Sequence, residues 1–368
     1  MSSRFDEEMR KTLAKESEIP EAVRNSLDVT YNHIKSQSKS KWRSRFIKKT
    51  IVAASCLLAV GLVATNSSVV AGVKTFFNDK GIVKVFEEGL FQTNNETINN
   101  EDIGITLDSY YYDSNKIALN LLVQFDDEKI LDSIKIVNLD FRIRNGDGEY
   151  LAEMIPDTKP LKGELPHVIN SGSIIESINP EQGKVNIYII LESLMGEIPP
   201  LNNAEIDIET VKLFNDRGEL RSIDGSWLFA IEGIEGNKDI EDQRYMEALS
   251  YEYIEKNSSS DIELLSATAT PSSFNIRFAL DTILGDYDMF EMKLTNDKGE
   301  TIEGRQGFFI EEKDGRTIIS TNFVVSSYEN ANAYTLQIMN IGSRQQNRSF
   351  KYVLENQKIE LVRNNYQP

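Results

Sequence analysis

Beyond residue 102 the apolar residues recur at every second position, and this period constrains the fold more than any other feature. Ile103, Ile105 and Leu107 alternate with polar neighbours, as do Ile117, Leu119, Leu121, Val123 and Phe125, and then Val137, Leu139, Phe141 and Ile143. The pattern returns in Val185 to Leu191, Trp227 to Ile231, Phe274 to Leu280, Tyr334 to Ile338 and Phe350 to Leu354. Successive side chains of a strand point to opposite faces, so each run predicts a strand with one apolar face. Many such short strands imply antiparallel β-sandwiches rather than a parallel sheet. A chain of 368 residues has room for two of them. The expected domains are 103–240 and 241–368, divided where the charged stretch Glu235 to Arg244 and the serines 258–260 interrupt the alternation.

One local motif occurs three times, as NGDGE at Asn145 to Glu149, NDRGE at Asn215 to Glu219 and NDKGE at Asn296 to Glu300. Asn and Asp tolerate a bend and Gly supplies positive φ, so each predicts a hairpin turn. Calcium is the alternative, but the oxygen ligands are too few and the bidentate Glu of a calcium loop is absent. Tyr110, Tyr111 and Tyr112 suggest a glycan-binding patch. In a strand, however, two would share a face and the third point away, which favours ordinary packing. The two histidines, His33 and His167, stand alone and the single cysteine is Cys56, so no metal site, disulfide or cofactor is expected. No nucleophile elbow, zinc helix or phosphate loop is present, and the chain reads as a non-enzyme.

Thr50 to Val73 forms 24 consecutive residues without a charge. About 20 apolar residues cross a bilayer as a helix, so 50–73 is expected to be a transmembrane helix. Lys41, Trp42, Arg43, Arg45, Lys48 and Lys49 flank it on one side. Basic flanks stay in the cytoplasm, which predicts a single-pass cell-membrane protein with residues 1–49 inside and the body outside. A cleaved secretory signal ending at Val69-Val70-Ala71 is the alternative, disfavoured because the leader is too long. Charge divides in the same place: residues 1–49 carry +5 and the rest −23. An acidic body repels nucleic acid and anionic lipid, so no direct nucleic-acid contact is expected.

Two amphipathic helices are predicted in the first 40 residues. One presents Phe5, Met9 and Leu13, and the second presents Ile19, Val23, Leu27, Tyr31 and Ile34. These stripes are too small for a core and suit docking in a partner's groove, although a loose hairpin without a partner fits as well. Residues 74–102 are expected to hold short juxtamembrane helices, followed by a polar linker from Gln92 to Asp102.

The leader Lys-Trp-Arg-Ser-Arg-Phe-Ile-Lys-Lys (41–49), the stretch GITLDSYYYDSNKIALNLLV (104–123) and DGSWLFAIEG (224–233) resemble Gram-positive bacterial single-pass membrane proteins of a domain-of-unknown-function family. Such proteins are often encoded beside extracytoplasmic-function sigma factors. IELLSATATPSSFNIRFALD (262–281) and MKLTNDKGE (292–300) resemble the immunoglobulin-like unit that accompanies them. The resemblance implies two immunoglobulin-like sandwiches outside the membrane and a role as an anti-sigma factor or envelope sensor. Residues 1–40 would hold the sigma factor, without zinc because the paired Cys and the His are lacking. A membrane protease would release the inhibitor by cutting the span. The alternative is a cell-envelope binding or adhesion module for which the N-terminus is only an anchor.

Overall fold

The computed structural model describes residues 79–156, 158–163, 168–170, 175–193, 196–201, 203–231, 249–256, 262–281, 283, 289–303, 308–344 and 350–364. All belong to one compact unit, residues 62–368. The described chain is mainly β, all its strand pairs are antiparallel, and it holds a single α-helix, α1 (Lys80–Glu87).

Ten strands build the first half: β1 (Gln92–Asn100), β2 (Ile103–Tyr112), β3 (Lys116–Phe125), β4 (Ile136–Arg144), β5 (Tyr150–Met154), β6 (Val168–Asn170), β7 (Ile175–Asn179), β8 (Lys184–Ser193), β9 (Ala204–Asn215) and β10 (Gly218–Ile231). One sheet runs β1-β2-β3-β8-β6, with β7 also on β8, and the other runs β10-β9-β4-β5. One buried cluster joins them, taking Leu107, Leu119 and Ile187 from the first and Phe141, Ile208 and Trp227 from the second. The Trp227 indole N–H donates to the Ile103 carbonyl at 3.1 Å, so the polar atom of a fully buried ring is satisfied.

The second half holds β11 (Tyr251–Glu255), β12 (Ile262–Ala269), β13 (Phe274–Leu280), β14 (Met289–Asn296), β15 (Thr301–Glu303), β16 (Phe308–Lys313), β17 (Arg316–Phe323), β18 (Ala333–Arg344) and β19 (Phe350–Arg363). These form one continuous path, β15-β14-β18-β19-β11-β12-β13-β17-β16. Strand β11 is the joint: Tyr251 and Glu252 pair with β12, whereas Tyr253 to Glu255 pair with β19. A core of Tyr253, Phe274 and Tyr334 sits at this switch, with ring centroids 4.9 to 5.3 Å apart. The Tyr253 hydroxyl donates to the Ala331 carbonyl at 2.7 Å.

All three Asn–Gly–Glu motifs are hairpin turns, linking β4 to β5, β9 to β10 and β14 to β15, with positive φ at Gly148, Gly218 and Gly299. In two of them the Asn side chain accepts from the Glu backbone N–H and donates to the Glu carboxylate, Asn145 to Glu149 at 3.1 Å and Asn296 to Glu300 at 2.7 Å. The carboxylate that a calcium ion would need is thereby tied to the turn. Tyr110 packs into the main core, and Tyr111 points to the opposite face of the sheet.

Helix α1 covers that opposite face. Ile82 and Val85 pack with Tyr111, Ala118, Tyr188 and Ile190, so β2, β3 and β8 are buried on both sides. The Asp79 side chain caps the helix by accepting from the Gly81 and Ile82 N–H groups. Gly81 touches the second half so closely that an added Cβ would lie 1.7 Å from the Ser272 carbonyl oxygen. Around it the halves share a buried polar junction. The Asn115 amide donates to the Thr268 and Ser273 carbonyls and to Thr270 Oγ1, and Asn275 Nδ2 donates to Ser193 Oγ and Asn322 Oδ1.

Several expectations are corrected. Gln92 to Asp102 is not a linker: it holds β1, an edge strand whose outer side chains are polar because water faces them. The single-pass topology is overturned, because among the described residues no helix is long and apolar enough to cross a membrane. Helix α1 spans only about 12 Å, far below a bilayer core. The fold class is corrected to a mainly β body without a transmembrane helix among the described residues. The membrane-anchored regulator, the sigma factor, lipid bilayer and membrane protease as partners, the anchored envelope module and the inside–outside placement all depended on that topology, and they fall with it. The run 50–73 lies outside the described residues. So do the docking stripes (Phe5, Met9, Leu13, Ile19, Val23, Leu27, Tyr31, Ile34) and the basic flank (Lys41, Trp42, Arg43, Arg45, Lys48, Lys49).

Gly81→Ala is expected to lower stability by about 2 kcal/mol or more, because the atom that blocks the new methyl is backbone. Lys80→Ala, one residue earlier and exposed, is expected to be near neutral. Thermal unfolding of both variants checks this.

Candidate functional site

The outward face of the sheet β10-β9-β4-β5 carries opposite charges in facing rows. Val137, Leu139, Phe141 and Ile143 of β4 enter the core, which leaves Asp140, Arg142 and Arg144 on the other face. On β9 the inward Ile206 and Ile208 leave Glu205, Asp207 and Glu209 outward. Register places Arg142 opposite Asp207 and Glu153, and Arg144 opposite Glu205 and Tyr150.

Arg142 is almost wholly buried and fully engaged. Its Nε donates to Glu153 Oε1 at 2.8 Å, its Nη1 pairs with Glu209, and its Nη2 donates to the Pro160 carbonyl at 3.1 Å. Burial pushes the Glu153 carboxyl up, but the N–H groups of Lys162 and Gly163 and the Arg142 guanidinium outweigh this and hold it below the usual range. The segment bearing Lys159 and Lys162 lies over this face. Lys159 Nζ reaches Thr210 Oγ1 at 2.9 Å, and Lys162 Nζ reaches Glu209 at 3.3 Å. Arg144 Nε donates to Glu205 at 2.7 Å.

Beside these pairs a cleft of about 220 Å³ opens between Arg142, Arg144, Tyr150, Lys162, Glu205, Asp207, Ser226 and Leu228. It offers cations, anions, an aromatic ring and an apolar side chain within one small space. A second cleft of about 200 Å³ lies between α1 and the segment after β17, lined by Lys80, Lys84, Val324, Ser326, Tyr328 and Glu329. There burial, then the nearby Glu300, pushes the Glu329 carboxyl up. Among the described residues no group of three or more His, Cys, Asp or Glu side chains is arranged to hold a metal.

None of the site residues expected from sequence falls in either cleft, since all lie in residues 1–49. The residues of the first cleft were overlooked, although Arg142-Ile143-Arg144 and the alternating acids Glu205, Asp207 and Glu209 carried a signal. Opposite charges at period two on two strands predict a paired face once the strands are known to be neighbours.

Residues 41–124 match the family model described as Domain of unknown function (DUF4179). The match ends within β3 and takes in α1, β1 and β2 but neither strand row of the charged face. No curated protein matches the chain. A solved structure, "The crystal structure of the conserved domain protein from Bacillus anthracis", is similar at 14% identity with a TM-score of 0.46, covering 78% of this chain and 92% of that one. The earlier family expectation is thus corrected to a match with the domain of unknown function alone, over that segment.

Because the folded-state Glu153 carboxyl is held low, its ionised form stabilises the fold above its unfolded value, and the contribution is lost as pH falls through the folded value. Glu153→Gln is therefore expected to cost about 2 kcal/mol at neutral pH. The gap from the natural chain should close as the medium is acidified, as read by denaturant titration at a series of pH values.

Proposed function

We propose that this chain is a non-catalytic binding module whose cleft between β4, β5, β9 and β10 seats a peptide segment. The carrying observation is the cleft's mixed lining: Arg144 and Lys162 for a carboxylate, Asp207 and Glu205 for an ammonium, and Tyr150 with Leu228 for an apolar side chain. A peptide presents these three chemistries within one or two residues. At about 220 Å³ the cleft is smaller than the roughly 300–1,000 Å³ of ordinary small-molecule sites, which suits one piece of an extended ligand rather than a whole compact one. Arg144 pairs with Glu205 inside the cleft and Lys162 with Glu209 beside it, all four partly exposed, so binding exchanges these ion pairs at little cost. The same pairing supports a non-enzymatic role, because a general acid or base must be poised toward its substrate.

The full chain titrated with a library of short zwitterionic peptides, followed by fluorescence polarisation, tests this reading. Binding is expected, and Arg144→Glu and Asp207→Lys should each weaken it about tenfold, about 1.4 kcal/mol. Absence of binding, binding indifferent to both variants, or peptide turnover abolished by them would overturn it.

A further inference from the structure

Beneath α1 lies an ionisable cluster that the cleft does not use. The Lys116 side chain is fully buried, with its Nζ 2.5 Å from Asp79 Oδ2 and 3.2 Å from Glu192 Oε1. Asp79 is likewise fully buried and Glu192 is 8% exposed. The apolar side chains of Ile82, Val85, Ala118 and Ile190 cluster between α1 and the sheet beside them. One ammonium and two carboxylates thus share a site closed to water. Desolvating such charges costs several kcal/mol per ion, so an ion pair is an expensive way to attach a helix.

Three separate elements pin the three groups. Lys116 opens β3, its N–H donates to Asp113 Oδ1 at 2.8 Å, and strand register sets it directly opposite Glu192 of β8. Asp79 is fixed as the cap of α1, with its Oδ1 accepting from the N–H groups of Gly81 at 3.0 Å and Ile82 at 3.1 Å. An amine, a carboxyl carbon whose oxygen already faces two N–H donors, and a second carboxylate next to the amine are the parts of an acyl transfer.

We propose that Lys116 and Asp79 join in an intramolecular amide bond, with Glu192 relaying the proton. Transfer of a proton from the Lys116 ammonium to the Asp79 carboxylate removes two buried charges and frees the Nζ lone pair. Nζ then attacks Asp79 Cγ, forming the C–N bond while the electron pair of the C–Oδ1 double bond moves onto Oδ1, where the Gly81 and Ile82 N–H groups receive it. Glu192 takes a proton from Nζ and returns it to the departing Oδ2. The C–Oδ2 bond breaks, Oδ2 leaves as water, and Oδ1 becomes the amide carbonyl. In balance, an ammonium and a carboxylate become a secondary amide and one water, and Glu192 is regenerated. No oxidant, metal or cofactor enters. The link would tie α1 covalently to the first sheet, and it can form only after the helix has docked.

Intact-mass spectrometry of the purified full chain, with proteolytic mapping, tests the proposal. The folded natural chain is expected to weigh one water less than its sequence, and digestion should release a branched peptide containing both Lys116 and Asp79. Glu192→Gln keeps the size of the relay side chain and should retain the fold by circular dichroism while keeping the full mass. Lys116→Arg should also keep the full mass. A folded natural chain at full sequence mass would show an ion pair only and overturn the proposal, as would a water loss mapping elsewhere. A link formed undiminished in Glu192→Gln would remove Glu192 from the reaction.

Discussion

The carboxylate of Asp113 sits where three parts of the chain meet, and much of the arrangement depends on it. Its Oδ1 accepts from the N–H groups of Asn115 and Lys116, which closes the turn between β2 and β3. Its Oδ2 accepts from the Tyr111 hydroxyl at 2.6 Å and from the Ser272 N–H of the second half. Burial, then the adjacent Asp113 charge, pushes the Tyr111 hydroxyl well above its ordinary value, so it stays a donor. A buried carboxylate is tolerated only when its lone pairs are filled, and here filling them joins the two halves. The same turn places Lys116 at the start of β3, which pairs with β8 so that Lys116 lies opposite Glu192.

Polar groups serve two separate ends in this molecule. At the junction they are buried and bond both to backbone and to one another, a pattern that fixes geometry. On the outer face of the β4–β9 sheet they pair across strands at the edge of water, where exchange of partners is cheap and a ligand can compete. Arg142 links the two regimes: it is nearly buried and paired with Glu153 and Glu209, yet it also lines the open cleft.

Strand content and turns were legible because both are local. Period-two alternation marks β3, β4 and β8, and Asn-to-Glu spacing with an intervening Gly marks three hairpins, two of them closed by an Asn–Glu side-chain bond. Strand β1 was misread because an edge strand shows water a polar face, and its single inward apolar anchor, Ile98, carries no period. The charged cleft was missed for a different reason: Arg144 and Glu205 lie 61 positions apart and meet only through strand pairing.

By itself, then, the sequence determined that the body would be antiparallel β with tight Asn–Gly turns, because side-chain alternation and backbone φ preferences act over a few residues. Only the tertiary structure decided which strands are neighbours, that β11 passes from one set of strands to the other, and that a polar lysine would be buried between Asp79 and Glu192. Those outcomes rest on contacts between distant segments, where the gain from burial and the cost of desolvation are settled together by the assembled fold.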